Sequence, residues 1–363
     1  MNIKAIINIV SCFILILILS FIFLTNTASA ETKTFIKEYT YHASDEDSRN
    51  SSRTIALREV KRLLLEELGN YLESQTEVKN FQMTKDQITT LTAGIVSTEV
   101  IEDKWDGTVY WLKAKIAADS GEVIKSIDIL RKDRQKTKEL EKVRARSDDL
   151  LKENERLRKK LLTAKNEKKQ KDTAAYNETI KELDAADWFE KGYASFMSRN
   201  YKDAIGAYSK SIKLKPKDVD AYIMRGRAYI GLRNFNQAIK EFNKAIELNP
   251  QDAFAYDNRG DAYYKLDNYR QAVKDYDKAE EQNPYTLVNY RRGLAHSKLG
   301  NYKQAIEDFN TEIGLDPKNA AAYYNRGLAY DKLGSHNNAI SDMKTGARLG
   351  HKAAQDYLNK RWK

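Results

Sequence analysis

The chain has 363 residues, enough for more than one domain, because single hydrophobic cores stop growing near ~250 residues. It carries 62 Lys and Arg against 52 Asp and Glu, a net charge of +10, and its single cysteine, Cys12, excludes an intrachain disulfide and a thiolate metal cluster. His42, His296, His336 and His351 fall in no metal-ligand spacing, and no glycine-rich phosphate loop or nucleophile elbow occurs, so no metal, cofactor or enzymatic activity is expected.

Residues 1–30 have the pattern of an export signal: Lys4, a largely apolar run containing FILILILSFIFL, then Ala28-Ser29-Ala30 before Glu31. Cleavage is expected after Ala30. An uncleaved anchor is the alternative, since Ala5 to Leu24 approaches the ~20 residues that span a bilayer. Cys12 precedes the apolar run, which argues against a lipoprotein. In both cases the body is expected outside the cytoplasm, in the periplasm or cell envelope.

Residues 31–119 alternate between strand and helix signals. TFIKEYTY (Thr34 to Tyr41) predicts a strand and SDEDSRNSS a loop. Leu57, Val60, Leu64, Leu68 and Tyr71 at helical spacing predict a helix from Ser52 to Leu72. A short helix near Lys85 to Thr92 then leads into strands IVSTEVIEDKW and TVYWLKAKIAA, joined by Asp106-Gly107, a dipeptide that tolerates the positive φ of a tight hairpin. This order, carried by SRTIALREVKRLLLEELGNYLES and AGIVSTEVIEDKWDGTVYWLKAKIAA, resembles the N-terminal domain of the flagellar assembly protein T family, a small α+β domain of bacterial envelope proteins. The resemblance lies in apolar positions and carries over no functional residue.

Residues 120–180 lack proline and are densely charged. Within Arg131 to Lys171 there are 17 Lys and Arg against 8 Asp and Glu, a local excess of 17 − 8 = +9 that accounts for nearly the whole net charge. Leu140, Ser147, Asn154 and Leu161 recur every seven residues, as do Val143, Leu150, Leu157 and Ala164. These are the two seam positions of a heptad repeat, and they predict a coiled coil that would allow a homodimer. A single charged helix serving as a spacer is the alternative. At 1.5 Å per residue, ~50 residues of helix would reach about 75 Å and hold the two ends of the chain apart. The basic stripe suits an anionic membrane surface or wall polymer better than nucleic acid, which export disfavours, and a merely solvated helix face is the plainest reading.

From 184 to 350 one sentence is repeated five times. YDNRGDAYYKLDNYRQA (Tyr256 to Ala272) has its counterpart YIMRGRAYIGLRNFNQA 34 residues earlier, and YYNRGLAYDKLGSHNNA follows later. Gly192, Gly226, Gly260, Gly293 and Gly327 mark first helices; Ala204, Ala238, Ala272, Ala305 and Ala339 open second helices. Rings recur at Trp188, Tyr222, Tyr256 and Tyr323, and at Tyr208, Phe242, Tyr276 and Phe309, with Met343 in the last copy. All four prolines of the chain, Pro216, Pro250, Pro284 and Pro317, stand where second helices must end. A period of 34 with this helix-turn-helix patterning resembles the tetratricopeptide repeat (TPR) family. Residues 351–363, with Tyr357, Leu358 and Trp362, predict a capping helix. The fold expected for the whole is multidomain and mainly α: a small α+β domain, a long helix or coiled coil, and a C-terminal α-solenoid.

Arg225, Arg259, Arg292 and Arg326 precede repeat glycines, where the TPR family usually has Leu, and Glu241, Asp275, Asp308 and Asp342 follow sixteen residues later. The first copy has Lys191 and Ala207 instead. Arginine and acid thus occur together or not at all, which predicts a ladder of ion pairs inside or between repeats, structural in preference to a ligand site.

A stripe at i, i+4 and i+7 of each first helix is predicted to line the concave surface. It supplies the candidate partner-binding residues Phe189, Tyr193, Phe196, Arg227, Asp257, Asp261, Tyr264, Tyr290 and Tyr324. The alternative is that these rings pack against the preceding helix or a neighbouring chain. Some TPR proteins grip a C-terminal carboxylate with Lys and Asn on this surface. Here Arg227 is the only basic residue of the stripe, and Asp257 and Asp261 would repel an acidic tail, so an extended or helical segment with apolar anchors and one basic residue fits better. The functional expectation is a non-enzymatic protein-interaction scaffold of the bacterial envelope. The alternative is a structural spacer or oligomeriser adhering to anionic membrane or wall polymer through its basic helix.

Overall fold

The computed structural model describes residues 32–132, 134–163, 167–284 and 287–361. The expected export signal, Ala164 and Trp362 lie outside the described residues. The chain divides into two compact units, residues 1–180 and 181–363.

In the first unit, β1 (Thr32–His42), β2 (Glu99–Trp105) and β3 (Val109–Asp119) form an antiparallel sheet in the order β1-β3-β2. Phe35 stands opposite Ile116, and a bulge between Val100 and Glu102 leaves Ile101 exposed. The hairpin turns at Asp106-Gly107 as the dipeptide implies: Gly107 takes φ 105°, and Asp106 Oδ1 accepts from the amides of Thr108 and Val109.

Helix α1 (Arg49–Glu73) covers one sheet face. Ser48 caps it by accepting from the Ser51 amide, while Ser51 Oγ accepts from the Ser48 amide. Its fully buried stripe is Ala56, Val60, Leu64, Leu68 and Leu72, so Leu57 and Tyr71 fall on its flanks. Opposite this stripe the sheet presents Phe35, Tyr41, Leu112 and Ile116, and the other face carries ion pairs such as Lys113–Glu38 and Lys115–Glu99. α2 (Thr76–Lys79) and α3 (Lys85–Ala93) complete the expected domain.

The long spacer does not form. The chain runs as α4 (Ser120–Lys132), α5 (Arg134–Thr163) and α6 (Glu167–Met197), and Thr137 Oγ1 donates to the Leu130 carbonyl at 2.9 Å where α4 gives way to α5. The heptad seam is nonetheless buried at Leu140, Ser147, Asn154, Leu157 and Leu161, all within this one chain. Leu140 occupies the space a Cβ on Gly94 would need, and Arg144 of α5 pairs with Asp86 at 3.2 Å and bonds Thr90. Ser147 accepts from the buried Arg58 of α1. Further along, Arg158 reaches the His42 carbonyl at 3.0 Å and Asp47 at 3.4 Å. An apolar seam needs only apolar cover, and a surface tethered to it by the same chain is always at hand, whereas a second chain must be recruited.

Asp47 locks this packing. Its side chain is fully buried and accepts from Tyr41 at 3.0 Å, Ser44 Oγ at 2.8 Å and Tyr176 of α6. Burial alone would raise its pKa, but hydrogen bonds from Tyr176, Ser44 and Tyr41 outweigh it and hold the carboxyl below its ordinary value.

The second unit is five helix pairs and a cap. The end of α6 pairs with α7 (Tyr201–Leu214), then come α8 (Val219–Gly231) and α9 (Phe235–Leu248), α10 (Ala253–Lys265) and α11 (Tyr269–Gln282), α12 (Asn289–Lys298) and α13 (Tyr302–Leu315), α14 (Ala320–Lys332) and α15 (His336–Arg348), with α16 (Lys352–Arg361) last. The expected boundary near residue 184 therefore falls inside one helix.

The repeat glycines act as close-approach points. A Cβ on Gly226 would stand 2.5 Å from the Phe242 ring, and one on Gly260 would stand 2.8 Å from Tyr276. Ala204, Ala238, Ala272, Ala305 and Ala339 are each 0% exposed. Between the helices of a pair, one residue adopts positive φ: Arg199, Arg233 and Asp267 in the first three repeats, Gly300 and Gly334 in the last two. The next residue's amide then closes the turn, as Asn234 N does on the Tyr229 carbonyl at 2.9 Å. Asn234 and Asn268 also cap the following helix through their side chains.

Candidate interaction surface

Each ladder arginine makes a three-helix clamp. Arg259 donates from Nε and Nη2 to the two oxygens of Asp275, both at 2.8 Å, and from Nη1 to Asn243 of the preceding repeat at 2.7 Å. Arg326 grips Asp342 the same way, at 2.8 and 2.7 Å, and Asn310 at 2.6 Å. Arg225 holds Glu241 at 3.0 and 2.6 Å and Ser209 at 2.9 Å. These three arginines also lie 5.4 to 5.5 Å from the rings of Tyr256, Tyr323 and Tyr222, three residues earlier in each helix.

Repeat four has Asn289 where those tyrosines stand, and its arginine gathers acids instead. Arg292 bonds Asp308 at 2.8 Å, Asp277 at 2.9 Å and Glu280 at 2.6 Å. Burial pushes the Asp275 and Asp308 carboxyls above their ordinary values while the arginines pull them back. The clamps therefore work both inside a repeat and between repeats.

The predicted stripe divides into buried and accessible parts. Phe189 and Tyr193 are 6% and 2% exposed, and Phe189 meets Tyr208 edge-on at 5.4 Å; these two are core residues and do not line a surface. Phe196 packs on Tyr201 and has the Arg227 guanidinium 5.3 Å above its ring. Tyr264 and Tyr290 are half-buried, the first against Tyr269 at 5.2 Å, the second against Phe309 with its hydroxyl accepting from Asn325 at 3.0 Å. Tyr324 stacks on His351 at 4.4 Å, so it joins the last repeat to the capping segment.

Asp257 and Asp261 are not two free charges. Arg291 of α12 donates to Asp257 Oδ2 and to Asp261 Oδ2, each at 2.8 Å, and the buried Tyr276 donates to Asp261 Oδ1 at 2.8 Å. The expected repulsion of an anionic tail is thereby halved. Asp257 Oδ1, buried and 2.8 Å from Arg291 Nη2, accepts no hydrogen bond. Burial pushes the Asp257 carboxyl up to about 6, Asp261 adds to the shift, and Arg291 and, more weakly, Arg227 oppose it.

The stripe as read from the sequence omitted Arg291, which is adjacent to a ladder arginine and easily absorbed into that pattern. It also omitted Phe254 and Leu287, 50% and 65% exposed. Phe254 lies three residues before Asp257 and seven before Asp261, on the same helical face, so extending the stripe one turn would have found it. Among the described residues there is no cluster of metal-ligand type and no helix long and apolar enough to cross a membrane.

Models of the TPR repeat match residues 226–267 and 293–334, and models of the tetratricopeptide repeat match 253–285 and 320–349. Residues 226–349 are tetratricopeptide repeats. The helix pair ahead of them, the end of α6 with α7, keeps the same internal contact, a Cβ on Gly192 standing 2.7 Å from Tyr208. Solved structures similar to this chain include MamA, at 27% identity over 45% of this chain and 96% of that chain with TM-score 0.42. Another is YrrB, a TPR protein with an unusual peptide-binding site, at 20% identity over 52% of this chain and 97% of that chain with TM-score 0.45. No curated protein matches the chain. TPR proteins are in general scaffolds for protein interactions, because stacked helix pairs expose an extended inner surface.

Proposed function

We propose that this protein is a non-enzymatic interaction scaffold of the cell envelope that holds a protein or peptide segment on the inner surface of its TPR domain. The observation that carries the reading is the row of half-buried and exposed side chains on the first helices, Phe196, Phe254, Tyr264 and Tyr290, alternating with the charged residues Arg227, Asp261 and Arg291. Apolar anchors fixed by neighbouring rings, with polar groups between them, are what a protein interface requires. The export pattern of residues 1–30 supports the location.

Site-specific photocrosslinking in cells tests it. A photoreactive residue at Tyr264 is expected to capture a discrete envelope protein, and one at Lys278, exposed on a second helix, is not. Capture from both positions alike, or from neither, overturns the inner surface as the binding site. Fractionation of the same cells tests the location, which a cytosolic pool would refute.

A further inference from the structure

The sheet order leaves β1 at an edge, and its register tells which backbone groups face outward. The Ala43 amide donates to the Thr108 carbonyl at 2.8 Å, so along the unbroken register from Thr32 opposite Asp119 to His42 opposite Val109 the odd-numbered residues of β1 bond β3. The amides and carbonyls of Thr34, Ile36, Glu38 and Thr40 therefore point away from the sheet, and among the described residues no backbone group pairs with them. Arg158 donates to the outward His42 carbonyl at 3.0 Å, which leaves the stretch 32–40 open.

The two edges of the sheet differ. β2 has seven residues and a bulge between Val100 and Glu102, features that stop an edge from recruiting another strand. β1 has eleven residues, no bulge and no proline, and its charges are already engaged: Lys37 pairs with Glu67 at 3.2 Å, Glu38 with Lys113 at 2.7 Å, and Lys33 lies 3.9 Å from the centre of the Tyr71 ring. Ile36, on the sheet face away from α1, is 48% exposed.

We propose that β1 pairs antiparallel with β1 of a second copy of this chain, about a two-fold axis at Ile36, joining the two three-stranded sheets edge to edge. Charge selects both the occupant and the register. An axis at Ile36 sets Ile36 against Ile36, Thr34 against Glu38, Phe35 against Lys37 and Lys33 against Tyr39, with no like charges opposed. An axis at Phe35 opposes Lys33 to Lys37, and an axis at Lys37 or Glu38 opposes that residue to itself, each of which destabilises an antiparallel pair. Because β2 is bulged, β1 finds its match in another β1, so the contact is isologous and closes at two copies.

Sedimentation of the purified full chain tests this. The parent is expected at twice its chain mass, Ile36→Lys at one chain mass because it opposes two cations at the axis, and Ile101→Lys, on the bulged edge, at twice. Disulfide trapping locates the axis in a Cys12→Ser background. Ile36→Cys is expected to oxidise to a covalent dimer, since directly opposed Cα atoms in a hydrogen-bonded pair stand about 5.5 Å apart, within disulfide reach. Thr40→Cys, which would face Thr32 across the axis, is expected not to. All these positions are exposed, and circular dichroism checks each fold; should Ile36→Lys lose its fold, the trapping result decides. A parent of one chain mass, a dimer that folded Ile36→Lys leaves intact, or no covalent dimer from Ile36→Cys overturns the proposal.

Discussion

Gly260 and Gly327 occupy the same place in their repeats yet face different neighbours, and this separates two kinds of tolerance. A Cβ on Gly260 meets the fully packed Tyr276 ring at 2.8 Å, whereas one on Gly327 meets the terminal methyl of Met343 at 3.1 Å and, less tightly, the Ala339 carbonyl oxygen and Asp342 Cβ at 3.3 Å. Met has three rotatable bonds and adapts, while a buried ring displaces its surroundings. Gly260→Ala is expected to cost about 1–3 kcal/mol in urea denaturation and Gly327→Ala less than Gly260→Ala. The clamps make a sharper case. Arg259→Leu strands Asp275, 2% exposed, without its cation and is expected to cost about 3–5 kcal/mol. Adding Asp275→Leu to it should recover most of the loss, since a buried pair replaced by apolar residues is often close to neutral; a double variant as unstable as the single would show that the clamp is a net stabiliser.

Asp257 makes the pH dependence testable at one residue. Its folded pKa, about 6, stands above the ordinary carboxylate value of 3.8, so the folded state binds the proton more readily than the unfolded one. Its contribution to stability is therefore fully present below pH 3.8 and lost as pH rises through about 6. Asp257→Asn is expected to be favoured over the parent at about pH 7.5, with the difference in Tm shrinking as pH falls toward 4.5. A difference that stays constant over that range would refute the assignment.

At the scale of elements, the helix pairs were legible because each repeat satisfies several local demands together. Proline ends the second helix, alanine and glycine allow close approach, and rings fill the remaining space at helical spacing. The turn between the helices was not legible in the first three repeats. Arg199, Arg233 and Asp267 sit at φ 59°, 60° and 57°, a region that costs a residue with a Cβ about 1–2 kcal/mol, while Gly300 and Gly334 serve the same turn without that cost. Arg233→Gly is accordingly expected to raise Tm, with a gain of up to about 1 kcal/mol after the larger entropy of glycine in the unfolded chain is subtracted. No change or a loss would mean that the Arg233 side chain contributes contacts worth as much as the strain.

At the scale of the whole molecule, residues 120–180 carry the largest departure from expectation. A heptad seam is a statement about which face is apolar, and it does not say what covers that face. Here Leu140 packs at Gly94, Ser147 meets Arg58, and Tyr176 joins Asp47, so the seam closes on the first unit itself. Leu157→Ala is expected to lower the stability of that unit by about 2–5 kcal/mol without changing the mass measured by sedimentation. A fall in mass instead would restore the intermolecular coiled coil.

The sequence by itself determined the repeat count, the bounds of the first two helical signals, Ser52 to Leu72 and Lys85 to Thr92, to within a few residues, the hairpin at Asp106-Gly107, and the arginine–acid partnerships, because each follows from a period or a local conformational preference. Only the tertiary structure decided which stripe residues are core and which are accessible, that Arg291 binds Asp257 and Asp261 from the next repeat, and that the charged helices fold back. Those outcomes depend on which surfaces meet in space, and one apolar or charged face has many equally suitable partners until the packing of the chain selects one.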